Sequence, residues 1–151
     1  MSRTDSVLDL AKELDTVGMV GSIREQNDLS KVVDLAMDRY GQIDSIVNIS
    51  SYSAKDPSIS FPTSSTIKAG LSAFVKLFAD QYSKDGIRMN NILPGFIDSF
   101  DVSNEVRSMI PMKREGRVDE IANTVVFLLS NKSSYVTGQN IRLDGGLGCS
   151  I

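Results

Sequence analysis

The chain has 151 residues, a formal net charge of −3, no histidine and a single cysteine, Cys149. A chain of this length can bury about two thirds of the surface that its unfolded state exposes, so a hydrophobic core can form without disulfides or metals. The lack of histidine removes the commonest general base and metal ligand, which argues against zinc-dependent hydrolysis, Ser–His chemistry and any metal site.

The small negative charge also argues against a dedicated nucleic-acid-binding protein. No segment is long and apolar enough to span a bilayer, and Met1 to Leu10 is too polar for a secretory signal. Because no repeats, low-complexity tracts or linkers interrupt the chain, we expect one cytoplasmic domain over residues 1–151 without a membrane partner.

The N-terminal part of the chain predicts two helices separated by a strand. Apolar residues recur at helical spacing from Val7 to Leu14, which predicts a short first helix. The segment from Val17 to Ile23 predicts a strand. A second helix follows, capped by Asn27 or Asp28 and ending near Tyr40.

The rest of the chain alternates strands with helices. The continuous apolar run from Ile43 to Ile49 is typical of a parallel strand that is covered on both faces. The later predicted elements are a helix at 65–82, a strand at 87–93, a mobile loop with a short helix at 98–109, a helix at 118–129 and a strand at 139–143. This order predicts an α/β fold with helices on both faces of a parallel sheet.

Paired serines follow the strand that ends near Ile49, and a lysine opens the next helix. This segment, from Ile46 to Lys68, resembles the catalytic region of short-chain dehydrogenase/reductases. In that family a strand-end Ser lies thirteen positions before a Tyr, which itself lies four positions before a Lys. Counting back from Lys68 places Ser51 at the Ser position and Ser64 at the Tyr position.

Downstream motifs extend the resemblance. The strand IRMNNILPG at 87–95, the helix start GRVDEIA at 116–122 and the string YVTGQ followed by IRLDGG at 135–146 all have counterparts in the family. Upstream, RYGQID at 39–44 resembles the approach to the fourth strand of the family. The family's usual Asn-Asn-Ala-Gly turn is missing, because Val47 and Asn48 pass straight into the end of the fifth strand.

The resemblance implies a truncated, three-layer Rossmann-like domain and NAD(P)-dependent hydride transfer between a carbonyl and an alcohol, as in 3-oxoacyl reductases. Ser51 would polarise the substrate oxygen, and Lys68 would bind the cofactor ribose. Pro94, Gly95 and Ile97 belong to a turn that contacts the nicotinamide carboxamide in relatives. Ser64 is a far weaker acid than a phenol of pKa about 10, so we expect impaired activity.

The cofactor site lacks a recognisable phosphate loop. A dinucleotide site of this class needs a Gly-rich turn, because glycine lets the backbone approach the pyrophosphate at a helix N-terminus. The nearest sequence, Gly18 to Gly21, lies inside a predicted strand and is interpreted as two small residues in a packed strand. Ser22 stands where many relatives have an Asp that contacts adenine. Binding of NAD or NADP is therefore doubtful.

Three hypotheses remain open, namely an impaired short-chain oxidoreductase, a non-catalytic interaction or oligomerisation module, and an internally deleted version of a longer reductase. The serines around Ser51 also fit a simple turn, and Lys68 also fits a solvated surface lysine. Tyr52 and Lys55 offer a displaced Tyr–Lys pair, although they fall in a loop.

The predicted helix at 65–82 carries Ala69, Gly70 and Ala79, whose small side chains permit close packing. Its counterpart in relatives contributes to a subunit interface. We therefore expect a homo-oligomer, a dimer or a tetramer, formed through this helix or through the edge strand at 139–143.

Overall fold

The structure is a computed structural model that describes residues 5–22 and 25–150. Contacts divide it into two compact units, Met1–Ile43 and Asp44–Ile151. A single domain over residues 1–151 therefore stays a prediction.

The first unit contains the two predicted helices, α1 at Ser6–Glu13 and α2 at Gln26–Tyr40. Helix α2 ends at Gly41, whose φ of 75° is the left-handed conformation that glycine adopts easily at a helix terminus. The predicted caps Asn27 and Asp28 are wrong, because the helix begins before them. Asp28 instead accepts a hydrogen bond of 3.0 Å from the backbone N–H of Ser22.

The predicted strand from Val17 to Ile23 is wrong over its described part, residues 17–22, which contain only an isolated bridge at Val20. Ile23 lies outside the described residues. A Cβ at Gly18 would lie 2.6 Å from the carbonyl oxygen of Val7 and 2.9 Å from the Cβ of Ala11. The backbone at Gly18 therefore packs directly against α1 instead of joining a ladder.

The second unit contains a parallel sheet of three strands in the order β1-β2-β3. The strands are β1 at Ser45–Ile49, β2 at Arg88–Pro94 and β3 at Asn140–Leu143. All three predicted strands are confirmed, with ends that differ by one or two residues. Both neighbours of β2 are paired to it, so β2 is the central strand.

Three helices connect these strands: α3 at Pro62–Tyr82, α4 at Asn104–Met109 and α5 at Val118–Leu129. The bounds of α5 match the prediction. Helix α3 begins three residues before the predicted start, because Pro62 occupies its first turn. Proline favours this position, since its fixed φ suits a helix and the first N–H groups of a helix have no partner within the helix.

Both faces of β2 are covered. Five consecutive residues, Met89 to Leu93, are buried, and successive side chains of a strand point to opposite faces. The sheet therefore lies between two layers of helix, as the predicted α/β fold requires.

Side-chain hydrogen bonds show which helix lies on which face. Arg88 Nη1 donates to the carbonyl oxygen of Leu128 in α5 at 2.8 Å. On the other face, Asn91 Nδ2 donates to Asn140 Oδ1 at 2.8 Å, and Asn140 Nδ2 donates to the carbonyl oxygen of Ser72 in α3 at 3.2 Å. Helices α5 and α3 therefore pack on opposite faces of the sheet.

This arrangement determines the handedness of the two crossover connections between the strands. The chain moves from β1 to β2 to β3 in one direction across the sheet, but its connecting helices lie on opposite faces. The two crossovers must therefore have opposite hands, and one of them is of the rare left-handed type. The carboxyl ends of all three strands meet at one edge, where ligands bind in open α/β sheets.

Over residues 5–22 and 25–150, none of the helices combines the length and apolarity that crossing a bilayer would need.

Candidate functional site

A cavity of about 440 Å³ opens at the carboxyl ends of β1 and β2. Ser50 and Ser51 line it after β1, and Pro94, Gly95 and Ile97 line it at and after the end of β2. Its apolar walls are Ile49, Phe100 and the α5 residues Val118, Ile121, Ala122 and Val125. The cavity therefore combines hydroxyl groups at one side with an apolar interior, which is the usual composition of a small-molecule site.

Ser51 leaves β1 in an extended conformation and caps a short 3-10 turn at Tyr52–Ala54. Its Oγ accepts hydrogen bonds from the backbone N–H and the hydroxyl of Ser53, at 3.3 and 3.1 Å. A serine hydroxyl has one proton to donate and two lone pairs that accept. Ser51 can therefore keep both contacts within the turn and still donate its proton to a carbonyl oxygen in the cavity.

Ser64 and Lys68 are not among the residues that line this cavity. Both lie in the first half of α3, where Ser64 is exposed and Lys68 is half-buried. Neither residue lines the cavity with Ser51. Their neighbour Ser65 is buried and accepts a hydrogen bond of 3.2 Å from the backbone N–H of Ser58, so Ser65 anchors the loop before α3.

The turn from Pro94 to Ile97 is fixed by the end of β3. The backbone N–H of Gly95 donates to the carbonyl oxygen of Leu143 at 3.0 Å. A Cβ at Gly95 would lie 2.9 Å from both Cα and Cβ of Asp144. Glycine at this position is therefore required by the close approach of the two backbones.

Tyr52 packs against this turn. Its ring centroid lies 5.9 Å from that of Phe96, at an interplanar angle of 45°. The displaced pair of Tyr52 and Lys55 therefore contacts the turn from Pro94 to Ile97 through its tyrosine, and both residues belong to the loop between β1 and α3.

An ion pair between Asp56 and Arg142 lies beside the site and was not predicted from the sequence. Arg142 Nη1 donates to Asp56 Oδ2 at 2.8 Å. Burial by itself raises the pKa of Asp56, but hydrogen bonds from Ser150 and Cys149, together with the charge of Arg142, outweigh it and lower the pKa below its ordinary value. The pair joins residues 86 positions apart, so no local pattern in the sequence could have indicated it.

Two further ion pairs hold the segment between β2 and α5. Arg107 donates to both carboxylate oxygens of Glu115, at 2.8 and 2.6 Å, and Arg114 binds both oxygens of Glu120 at 2.8 Å. The hydrogen bonds from these arginines are the main reason that the pKa of Glu115 and the pKa of Glu120 are both lowered to about 2. The first pair fastens α4 to the chain that precedes α5.

A second cavity of about 490 Å³ lies nearby and is lined by Arg114, Glu115, Glu120, Arg142 and Asp144 among others. Apart from Asp144, its charged side chains are two arginines and two glutamates, and none of these four charges is free. Arg114 pairs with Glu120, Arg142 with Asp56 and Glu115 with Arg107. We therefore place the candidate site in the cavity at Ser51. No group of three His, Cys, Asp or Glu side chains suited to a metal occurs in the described part of the chain.

The residues around Gly18 do not fit the pyrophosphate of a dinucleotide. A phosphate cradle needs open space above a glycine backbone. At Gly18 that space is filled by Val7 and Ala11 of α1. The cavity at Ser51 has room for a nicotinamide ring or an acyl chain, whereas the backbone at Gly18 leaves no room for the phosphates.

Comparison with known proteins identifies the family. A family model described as "Enoyl-(Acyl carrier protein) reductase" matches residues 45–148, which include every strand of the sheet and the cavity at Ser51. The chain belongs to the short-chain dehydrogenase/reductase family. A solved short-chain dehydrogenase from Bacillus anthracis superposes with a TM-score of 0.71 at 26% identity, covering 83% of this chain and 52% of that one.

Curated relatives from this short-chain dehydrogenase/reductase family include reductases of acyl thioesters. The 3-oxoacyl-(acyl-carrier-protein) reductase of Aquifex aeolicus is 34% identical over 150 residues, 94% of this chain and 58% of the relative. The acetoacetyl-CoA reductase of Allochromatium vinosum is 35% identical over 109 residues, 68% of this chain and 44% of the relative. The chain spans about half the length of the curated relatives that it matches.

Proposed function

We propose that this chain is a short-chain oxidoreductase domain of the 3-oxoacyl reductase kind, in which hydride transfer with NAD or NADP is impaired. The observation that supports this most is Ser51 at the rim of an apolar cavity of about 440 Å³. Relatives that reduce 3-oxoacyl and acetoacetyl thioesters suggest the substrate class. Such a substrate would present its oxo group to Ser51 and its acyl chain to the apolar wall.

In this mechanism the Ser51 hydroxyl donates a hydrogen bond to the substrate oxygen and polarises the carbonyl. Proton supply is the weak step, because Ser64 is a poor acid and would have to pass protons through water to Lys68. Both residues also lie outside the cavity lining. Because the backbone at Gly18 leaves no room for the dinucleotide phosphates, the contribution that we assign to this chain is binding and orientation of the oxo group.

A second candidate function, a non-catalytic oligomerisation module, is supported by the outer face of α3. Ile67, Phe74 and Leu77 are 64%, 52% and 65% exposed, and their spacing places them on one side of the helix. Nothing lies within 4 Å of a Cβ built at Gly70, which sits between them. We propose that this face pairs with a second copy in a two-fold dimer, and that the protein acts in the cytoplasm.

Calorimetric titration separates these functions. We expect acetoacetyl-CoA to bind the wild-type protein and Ser51→Ala to weaken that binding about tenfold, the scale of one lost hydrogen bond. Ser60→Ala, which changes an exposed serine of the same loop, should bind as the wild type does. We expect NADH and NADPH to bind no tighter than about millimolar.

Two outcomes would contradict the proposal. Saturable binding of NADH or NADPH at micromolar concentration would mean that a phosphate site exists outside the features described above. A protein that dimerises but does not bind acetoacetyl-CoA at all would favour the non-catalytic module.

A further inference from the structure

The loop after β1 links Ser51 to Asp56 through a short hydrogen-bonded turn. The N–H of Ala54 donates to the carbonyl oxygen of Ser51 at 3.1 Å, and the N–H of Asp56 donates to the carbonyl oxygen of Tyr52 at 3.1 Å. These two bonds link the backbone from Ser51 to Asp56 into one turn. A contact that fixes Asp56 therefore also restrains Ser51.

The Asp56 side chain fastens this turn to the C-terminal part of the chain. It accepts hydrogen bonds from Arg142 Nη1 at 2.8 Å, from the N–H groups of Cys149 and Ser150 at 3.1 and 2.9 Å, and from the Ser150 hydroxyl at 3.2 Å. The side chains of Asp56 and Arg142 are each only 21% exposed. Charge-assisted hydrogen bonds in such a shielded place are stronger than those on an open surface.

Arg142 lies near the end of β3, which also binds the turn at Pro94 and Gly95 on the other side of the cavity. It lies in β3 opposite Leu93, and the next pair in the register is Pro94 with Leu143. Leu143 in turn accepts the hydrogen bond from Gly95. The end of β3 is therefore a common support for the turn at Pro94 and, through Asp56, for the loop that carries Ser51.

The C-terminal segment packs directly over the ion pair. A Cβ at Gly148 would meet Arg142 Nη1 and would lie 2.7 Å from Asp56 Oδ2, so the backbone passes close to the ion pair at this point. Asp144 shapes the segment by accepting hydrogen bonds from the N–H groups of Gly146 and Gly148, at 2.9 and 3.0 Å. The segment thereby shields the pair from water.

We propose that Asp56 and Arg142 are positioning residues that hold the Ser51 hydroxyl in register with the turn at Pro94 and Gly95. The functional part of this inference rests on the proposed role of Ser51. Neither side chain lines the cavity at Ser51, so the pair acts through the loop and not by contact with a ligand.

Amide hydrogen exchange tests, without any ligand, whether the ion pair of Asp56 and Arg142 holds the loop in place. In Asp56→Asn and in Arg142→Gln, we expect the amides of residues 53–56 to exchange about tenfold faster, while those of β2 keep their wild-type rates. Asp119→Asn removes the exposed ion pair with Arg117 and should change neither region. Unchanged exchange at 53–56, or equal acceleration in β2, would overturn the proposal, because the pair would then have no effect or only a general stabilising one.

Binding of acetoacetyl-CoA tests the functional part by a double-mutant cycle. If Asp56 acts through Ser51, Asp56→Asn should weaken binding about as much as Ser51→Ala, and the double variant should be no weaker than Ser51→Ala alone. Losses that add would overturn the positioning role. If the wild-type protein binds no acetoacetyl-CoA, the proposed function fails, whereas the exchange rates still decide whether the pair holds the loop.

Discussion

Arg114 and Glu120 face each other in a paired arrangement, with Nη1 to Oε2 and Nη2 to Oε1 both at 2.8 Å. Glu120 Oε2 also accepts the backbone N–H of Arg117 at 2.8 Å. The Glu120 carboxylate thus caps the N-terminus of α5 and also binds Arg114 in the segment before this helix.

This arrangement predicts an acid-sensitive fold. The pKa of Glu120 is lowered from 4.5 to about 2, so its ionised form stabilises the folded state. That contribution is complete above the unfolded pKa and is lost as the pH falls through the folded pKa. We expect the free energy of unfolding, measured with urea, to fall between pH 4.5 and pH 2. Glu120→Gln should remove the share of this dependence that belongs to Glu120 and leave the share of Glu115, whose pKa is also lowered to about 2. A slope in Glu120→Gln equal to that of the wild type would show that other groups cause the dependence.

The close contact between Gly95 and Asp144 predicts that adding a single methyl group at position 95 lowers the stability of the fold. Gly95→Ala would place its Cβ 2.9 Å from the backbone of Asp144, and we expect a loss of about 1–3 kcal/mol in the free energy of unfolding. The matched control is Gly70→Ala in α3, where the added Cβ meets open space. That change should stabilise the protein by up to about 1 kcal/mol, because alanine favours a helix. Urea denaturation compares the two, and a Gly95→Ala variant as stable as the wild type would contradict the close approach.

Restoring the phenol of the family should not restore activity. Ser64 is exposed on α3 and does not line the cavity at Ser51, and the space that a phosphate would need at Gly18 is filled by Val7 and Ala11. We therefore expect Ser64→Tyr to reduce acetoacetyl-CoA with NADPH no faster than the wild type. An increase of about a hundredfold, the scale of general acid catalysis, would show that the scaffold is already competent to bind the cofactor.

The proposed dimer predicts different effects from two equally exposed positions. Leu77 on α3 and Val126 on α5 are 65% and 67% exposed. We expect Leu77→Glu to convert a dimer into a monomer in sedimentation experiments at micromolar concentration, whereas Val126→Glu should leave the dimer intact. A wild-type protein that sediments as a stable monomer would remove the basis for this prediction.

The sequence allowed the sheet and its helices to be predicted because their patterns are local. The apolar run from Ile43 to Ile49 predicted β1, and the helical spacing of Val118 to Leu129 gave the bounds of α5. The short apolar run at Val17 looked similar but forms no strand over residues 17–22. There the backbone of Gly18 packs on α1, a tertiary contact that an apolar pattern does not encode.

The candidate site was only partly predictable for the same reason. Ser51, Pro94, Gly95 and Ile97 were proposed from the resemblance, and the structure brings these residues around one cavity. The resemblance supplied Ser64 and Lys68 by spacing alone, without showing which way that part of α3 would face. The support from Asp56 depends on partners as far as 94 positions away, and such contacts become visible only in the folded chain.

Both strands that pair with the central strand β2 are distant from it in the sequence. Asn91 and Asn140 are 49 positions apart, and the partners of β2 in β1 precede the whole of α3. Closing both connecting segments costs conformational entropy before the backbone hydrogen bonds between the strands form and compensate for it. This cost slows folding. Until then β2 presents unpaired N–H and C=O groups along both edges, so the nascent sheet is open to pairing with the wrong strand or with another chain.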